Sequence, residues 1–562
     1  MFLPTTRAEM EKLNWPCLDV ILVTGDTYID SSFIGVALIG KLLLKAGYRV
    51  GIIAQPDIDN AEDISRLGEP KLFWGVTAGS LDSMIANYTA SGRKRRKDDF
   101  TPGGINNRRP DRATIVYTNL IRRYFKKTKP IVLGGIEASL RRIAHYDFWD
   151  NKIRRSILLD SKADYLLYGM AENSVLQLAE RLAHKDPVED LRGICYISPS
   201  LPGRATILPS FSEVSGNKKK FTEMFHLFYQ NQDPFSGKTL AQQYDHRYLI
   251  HNPPSYPLNT AELDQIYELD YEREVHPYYR KEGPVRALDT IKFSVTSHRG
   301  CFGECNFCAI VVHQGRHIQS RSQDSLIREI KELVKYKDFK GYILDVGGPT
   351  ANMYGMECGK NKNNSYCLSK HCLTPSVCDN LSVDHSAQIK LLRAIREIKG
   401  IKKVFIASGL RYDLVLADRT SGENYLKELL THHLSGQLKI APEHIEPKVL
   451  SLMGKGNHNL LSRFKKLFDR INSKKGGKHK QYLTYYFMAA HPGCQEIDMI
   501  SLHNYIGREL KIRPEQVQVF IPAPSTYSAL MYYTEQNPFT GEKIFVEKKI
   551  KNRDKQKKVI TK

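Results

Sequence analysis

No run of about 18 apolar residues occurs in the 562-residue chain, so the sequence offers no membrane-spanning helix. The opening stretch from Met1 to Glu9 lacks a basic segment leading into an apolar one, which excludes a secretory signal there and makes the cytosol the expected compartment. No repeat of about 20–50 residues is apparent, and a solenoid is set aside with it. Cysteine is scarce outside one region: of 10 in the chain, seven fall between Cys301 and Cys378. In a reducing compartment such clustering points to metal ligation rather than disulfides.

Several domain lengths of about 100–200 residues fit into the chain, and 41% hydrophobic residues with 10% aromatics suffice to fill more than one core. Lys and Arg number 83 against 61 Asp and Glu, a formal charge of +22. That surplus attracts polyanions such as RNA at long range, although a Lys-rich solvated surface gives the same count.

Apolar runs alternate with helical periodicity through residues 1–200, the pattern of a doubly wound α/β domain. Strands are expected at 19–23, 48–54, 72–77, 130–133 and 163–168, and helices at 33–46, 114–126 and 174–183. Residues 201–285 are rich in Pro, Asn, Gln and Tyr without sustained period and suggest a connecting segment. About six βα units follow within 286–535, a parallel sheet curved toward a barrel, with a Cys-rich insert at 350–385. In 536–562 the excess of Lys and Arg predicts a disordered basic tail.

Cys301, Cys305 and Cys308 stand within eight residues, directly after an expected strand at 291–296. Three thiolates can ligate three irons of a four-iron cubane and leave the fourth open. Zinc completed by His298 or His313 is the alternative. The spacing C-x3-C-x2-C, with Phe307 before the last Cys and a βα array behind it, resembles the radical S-adenosylmethionine (SAM) superfamily. The resemblance implies a [4Fe–4S] cluster on Cys301, Cys305 and Cys308 whose open iron chelates SAM. It also implies reductive cleavage to a 5′-deoxyadenosyl radical and an electron donor of the flavodoxin or ferredoxin type. Gly347 and Gly348, in Asp345-Val346-Gly347-Gly348-Pro349, match the glycines that meet the SAM amino group, with Pro349 where the family has Glu. Ser408 and Arg411, in Ser408-Gly409-Leu410-Arg411, match the segment that reaches ribose and carboxylate. Residues 439–444 and 491–493 follow later strands on the same rim. The strings from Gly134 to Arg142, Gly347 to Tyr354 and Val519 to Pro524, with Tyr532-Tyr533-Thr534, are similar to the YgiQ-type radical SAM proteins; they leave the substrate open.

Cys358, Cys367, Cys372 and Cys378 suffice for a second metal centre, either zinc or a second iron–sulfur cluster, with His371 and His385 nearby; free thiols in a loop are the bland reading. Cys17, Cys195 and Cys494 look like packing residues. The N-terminal α/β domain is similar to the cobalamin-binding domains of some radical SAM enzymes. It has Asp26-Thr27-Tyr28-Ile29-Asp30 where those carry a cobalt-ligating His, so cobalamin is not expected and the domain is read as helping to hold substrate. Arg93 to Lys97, with Arg108 and Arg109, is a basic loop suited to phosphates or simply a solvated charge run. Methyl or methylthio transfer on RNA or protein is the second enzymatic reading. A zinc-stabilised RNA-binding protein is the rival outside enzymes.

Overall fold

The computed structural model describes residues 1–360, 367, 372–473 and 480–561. It divides into two units, one of residues 1–257 and 265–292, the other of residues 258–264 and 293–562.

The first unit is built on a nine-stranded mixed sheet. Its strands are β1 (Val20–Thr24), β2 (Val50–Ala54), β3 (Phe73–Thr77), β4 (Ile131–Leu133), β5 (Tyr165–Leu167), β6 (Ile194–Ser198), β7 (Thr206–Leu208), β8 (Leu240–Tyr244) and β9 (Arg247–His251). They lie in the order β2-β1-β3-β4-β5-β6-β9-β8-β7. The first five in that order are parallel. Strands β1 and β2 are buried along their whole length, which is why they read as unbroken apolar runs. The helices Gly35–Lys45, Ala113–Tyr124 and Glu172–His184 supply amphipathic faces at the expected places.

The expectation of a connecting segment at 201–285 is overturned. Residues 206–251 carry three strands of the main sheet, and the helices Phe211–Gly216 and Lys218–Gln230 pack with them. Pro and polar residues belong to the joints between short elements, and the buried stripe Phe221, Met224, Phe225 and Phe228 was diluted by three consecutive lysines at the helix start.

In the second unit, β10 (Ser294–Thr296) pairs in parallel with β12 (Asp345–Gly347), and β11 (Tyr342–Ile343) with β15 (Lys403–Val404). Between these, β13 (Glu357–Cys358) and β14 (Leu381–Ser382) form a short antiparallel ladder inside the Cys-rich insert. Leu410 bridges to Ile440, leading to the parallel series β16 (Gln437–Glu443), β17 (Tyr482–Ala489) and β18 (Gln516–Val519). The βα order expected from sequence is present, although the first strand, expected at 291–296, begins only at Ser294, and Ile291 still belongs to the helix Ala287–Ile291.

The terminal residues also depart from expectation. Ile550–Thr561 is a helix with Arg553, Gln556 and Ile560 buried. Arg553 donates to the Phe520 carbonyl, and Gln556 accepts from the Ala490 amide at 2.9 Å and donates to the Cys494 carbonyl at 3.2 Å. Net charge concealed a one-sided helix whose three inward residues are spaced three and four apart. Truncation after Lys549 should therefore lower stability by at least about 2 kcal/mol, since it strands buried backbone groups. Thermal unfolding of the shortened chain checks this, and an unchanged midpoint would contradict it.

Among the described residues no helix is long and apolar enough to cross a membrane.

Candidate metal and SAM site

The three cysteines of the triplet lie on one loop, just past the carboxyl end of β10 and the two-residue strand His298–Arg299. All are half-buried by exposure of the whole residue and unpaired in disulfides. The loop is pinned from several sides. The Asn306 amide donates to the Met453 carbonyl at 2.9 Å and its side chain to Leu452 at 3.0 Å, while Ser528 donates to the Asn306 carbonyl at 2.9 Å. Phe307 meets His491 edge-on at 6.2 Å, which places the expected rim residue His491 beside the loop.

Gly303 lies close to both a cation and a thiol of the triplet. A Cβ there would lie 2.9 Å from Arg411 Nη1 and 3.2 Å from Cys301 Sγ, so any side chain at this position would press on both. Arg411 Nη1 stands 3.5 Å from Cys305 Sγ, and the guanidinium is otherwise held by Asp413. Burial pushes the Cys301 thiol up to about 11 and the Cys308 thiol up to about 12; Arg411 and Lys455 oppose this for Cys301, and Lys455 for Cys308. Lys455 itself donates to the Ala441 carbonyl at 2.7 Å. Burial likewise raises the Glu443 carboxyl, against the pull of Lys455 and Arg411.

The glycine pair at the end of β12, Gly347 within it and Gly348 just past it, divides its work. Gly347 pairs with Thr296, and its Cβ would lie 3.2 Å from Ser408 Oγ, which donates to Asp345 at 2.5 Å. Gly348 is pressed against His298: a Cβ would meet the His298 carbonyl oxygen at 2.5 Å and its ring at 2.7 Å. That contact by itself leaves no room for a side chain at the second glycine. His298 is fully buried, its ring Nδ1 is 2.9 Å from Ser297 Oγ, and burial pushes its pKa down to about 4. Among the described residues no group of three or more His, Cys, Asp or Glu side chains is already drawn together around a single point.

Sequence reasoning missed the support beneath Arg411. Asn352 Oδ1 accepts from the Arg411 amide at 2.8 Å, and Asn352 Nδ2 donates to the Arg411 carbonyl at 3.0 Å. The same Nδ2 stands 3.1 Å from His385 Nε2, and His385 Nδ1 is 2.7 Å from Asp418 Oδ2. All three side chains are buried. Asn352 lay inside the quoted Gly347–Tyr354 string, but nothing in its spacing marked it as a clamp on a residue 59 positions away. Replacing Asn352 with Ala should cost about 1–3 kcal/mol by stranding buried partners. Asn352→Asp should recover part of that, because the acceptor for the Arg411 amide survives; equal midpoints for all three chains in denaturant unfolding would refute the clamp.

The insert lies against the triplet loop. Cys358 and Cys372 pack on the apolar cluster of Phe302, Met353, Met356, Leu373, Leu381 and Leu414, and so does Cys301. Burial pushes the Cys372 thiol up to about 12, with Glu304 of the triplet loop adding to the rise. His385 belongs to the Asn352 clamp, and His371 lies outside the described residues.

In the first unit the expected basic loop splits. Arg93 to Lys97 are exposed, but Arg109 is buried between Asp26, at 2.6 Å, and Asp98, at 3.2 Å. Arg108 pairs with Glu282 at 2.7 Å. The stretch Asp26–Asp30 is spent on internal partners: Thr27 on Gln55 at 3.1 Å, and Asp30 on Lys41 at 2.9 Å and Tyr28 at 3.3 Å. A Cβ on Gly79 would overlap the Asp26 carboxylate at 2.2 Å. The stretch 26–30 itself contains no histidine. Cys195 and Cys494 are buried, and Cys17 is partly exposed.

The Radical SAM N-terminal family matches residues 2–294. The chain is also 54% identical over 561 residues to a UPF0313 protein of Fusobacterium nucleatum, covering 100% of this chain and 98% of that one. It is a radical SAM protein of the UPF0313 family. A UPF0313 protein of Thermotoga neapolitana is 51% identical, again over 100% of this chain and 98% of the other. Among solved structures, the radical SAM methyltransferase TsrM from Kitasatospora setae, with cobalamin and a [4Fe–4S] cluster bound, aligns with a TM-score of 0.50 at 13% identity. That alignment covers 91% of this chain and 77% of TsrM, and supports a mixed α/β fold.

Proposed function

We propose that this UPF0313 protein is a radical SAM enzyme in which Cys301, Cys305 and Cys308 hold a [4Fe–4S] cluster. Such a cluster, when bound and reduced by one electron, supplies reductive cleavage of SAM to methionine and a 5′-deoxyadenosyl radical, which takes a hydrogen atom from substrate. The observation that carries the reading is the triplet loop itself, three thiols past the end of β10 with Arg411 Nη1 at 3.5 Å from Cys305 Sγ.

The chain's own residues divide the remaining work. The Arg411 and Lys455 cations offset the charge that three thiolates bring into a buried loop. Gly347, Ser408 and Asp345 present a polar strand end beside them, suited to the amino, ribose and carboxylate groups of SAM. Gly348 keeps His298 close and thereby sets the start of the loop. A low-potential one-electron donor of flavodoxin or ferredoxin type and a cytoplasmic setting belong to this reading, and cobalamin takes no part in it.

Anaerobic reconstitution followed by incubation with SAM and dithionite tests the proposal. Iron and sulfide in the protein, with 5′-deoxyadenosine and methionine released together, are expected. Zinc alone, without a sulfur-to-iron absorbance, would overturn it. Methyl or methylthio transfer to RNA or protein is the second reading, favoured by two separate features, the exposed run Arg93–Lys97 of the first unit and the further group of cysteines in the second. S-adenosylhomocysteine among the products would identify it.

A further inference from the structure

Cys358, Cys367, Cys372 and Cys378 are far apart in sequence for a loop with so little regular structure, yet the fold gathers them. Strand β13 sets Cys358 directly across from Leu381 of β14. The Leu381 amide donates to the Cys378 carbonyl at 2.9 Å, and the Cys378 amide donates to the Cys372 carbonyl at 2.8 Å. These three cysteines therefore sit on one small hairpin and the turn that feeds it. Thr374, within that turn, donates to the Gly454 carbonyl at 3.0 Å, and Arg316 donates to the Cys367 carbonyl at 2.7 Å, which ties the fourth cysteine to the same neighbourhood. All four thiols are half-buried and none is in a disulfide.

The two-residue strands are the only regular elements among the described residues of the insert. Ordering such a chain costs conformational entropy, and a thiolate cross-link offsets that cost where hydrogen bonds are few. We infer that these four cysteines bind a second iron–sulfur cluster, separate from the one on Cys301, Cys305 and Cys308. Four thiolates match the ligand set of a four-iron cubane, one to each iron. Four thiolates leave no iron open, so this centre does not bind SAM. Its place against Phe302 and Cys301 makes it a fastener of the insert beside the first site.

The experiment uses the full chain, reconstituted anaerobically, in three forms: parental, Cys301/Cys305/Cys308→Ala, and Cys358/Cys372/Cys378→Ser. The parental chain should hold about eight irons and each triple variant about four, with a sulfur-to-iron absorbance in both. Added SAM should change the electron spin resonance signal of the Cys358/Cys372/Cys378→Ser chain and leave that of the other variant unchanged. Because the counting rests on the reading of the first site, the two failures must separate, and they do. If only the second centre exists, the Cys301/Cys305/Cys308→Ala chain keeps all the parental iron. If only the first exists, that variant keeps none, and the inference fails. One zinc per chain on the Cys358 group also overturns it. Should either variant not fold, the parental count of about eight against about four still decides.

Discussion

Replacing Cys305 with alanine is expected to abolish 5′-deoxyadenosine formation. One of three thiolates is lost, and with it the arrangement in which three irons are anchored and one stays open. Loss of a structural salt bridge would give a partial effect; loss of a cluster ligand gives a complete one. The fold should survive, because the Cys305 side chain contributes only a 3.5 Å contact to Arg411 and remains partly exposed. Surface-like losses of this kind stay within about 1 kcal/mol. Three measurements on one preparation are needed: iron content, deoxyadenosine after reduction with SAM present, and the unfolding midpoint. Parental nucleoside yield would remove Cys305 from the ligand set. A collapsed midpoint together with lost activity would point to a structural role instead.

The triplet and the strands around it were legible because their signals are local. Three cysteines in eight residues need no tertiary knowledge, and fully buried parallel strands announce themselves as apolar runs. What failed to show was contact made across the chain. Asn352, His385 and Asp418 become a clamp only once the insert between them folds back. Arg109 looked like part of a solvated basic loop because the sequence does not reveal that Asp26 and Asp98 close around it. The same blindness hid the terminal helix, where Arg553 and Gln556 are charged or polar in composition yet buried by hydrogen bonds to backbone groups. Composition also misled at residues 201–285, since short strands joined by Pro-rich turns average out to something that resembles a linker.

Arg109→Met should produce the largest loss of stability in the first unit, about 3–5 kcal/mol, the usual cost of removing one partner from a buried ion pair. The Arg109 side chain is 0% exposed, with Asp26 at 1% and Asp98 at 6%, so water cannot take its place. Methionine fills similar volume without charge and leaves two carboxylates facing each other. The Ser80 amide at 2.6 Å would still serve Asp26, and Thr101 at 3.0 Å would still serve Asp98, but neither neutralises charge. Burial already raises the Asp26 carboxyl with Arg109 present, and its removal raises it further. A carboxyl whose folded-state pKa lies above the unfolded value of about 3.9 binds its proton more tightly when folded. Its stabilising contribution is therefore complete below that unfolded value and is lost as pH rises through the folded one. The deficit of Arg109→Met should be largest at neutral pH and shrink on acidification toward about pH 5. Adding Asp26→Asn removes one of the two charges and should restore part of the loss at neutral pH. Urea unfolding of the three chains at both pH values decides the matter: a deficit below about 1 kcal/mol, or one that does not change with pH, would mean that Arg109 carries no more weight than a surface pair.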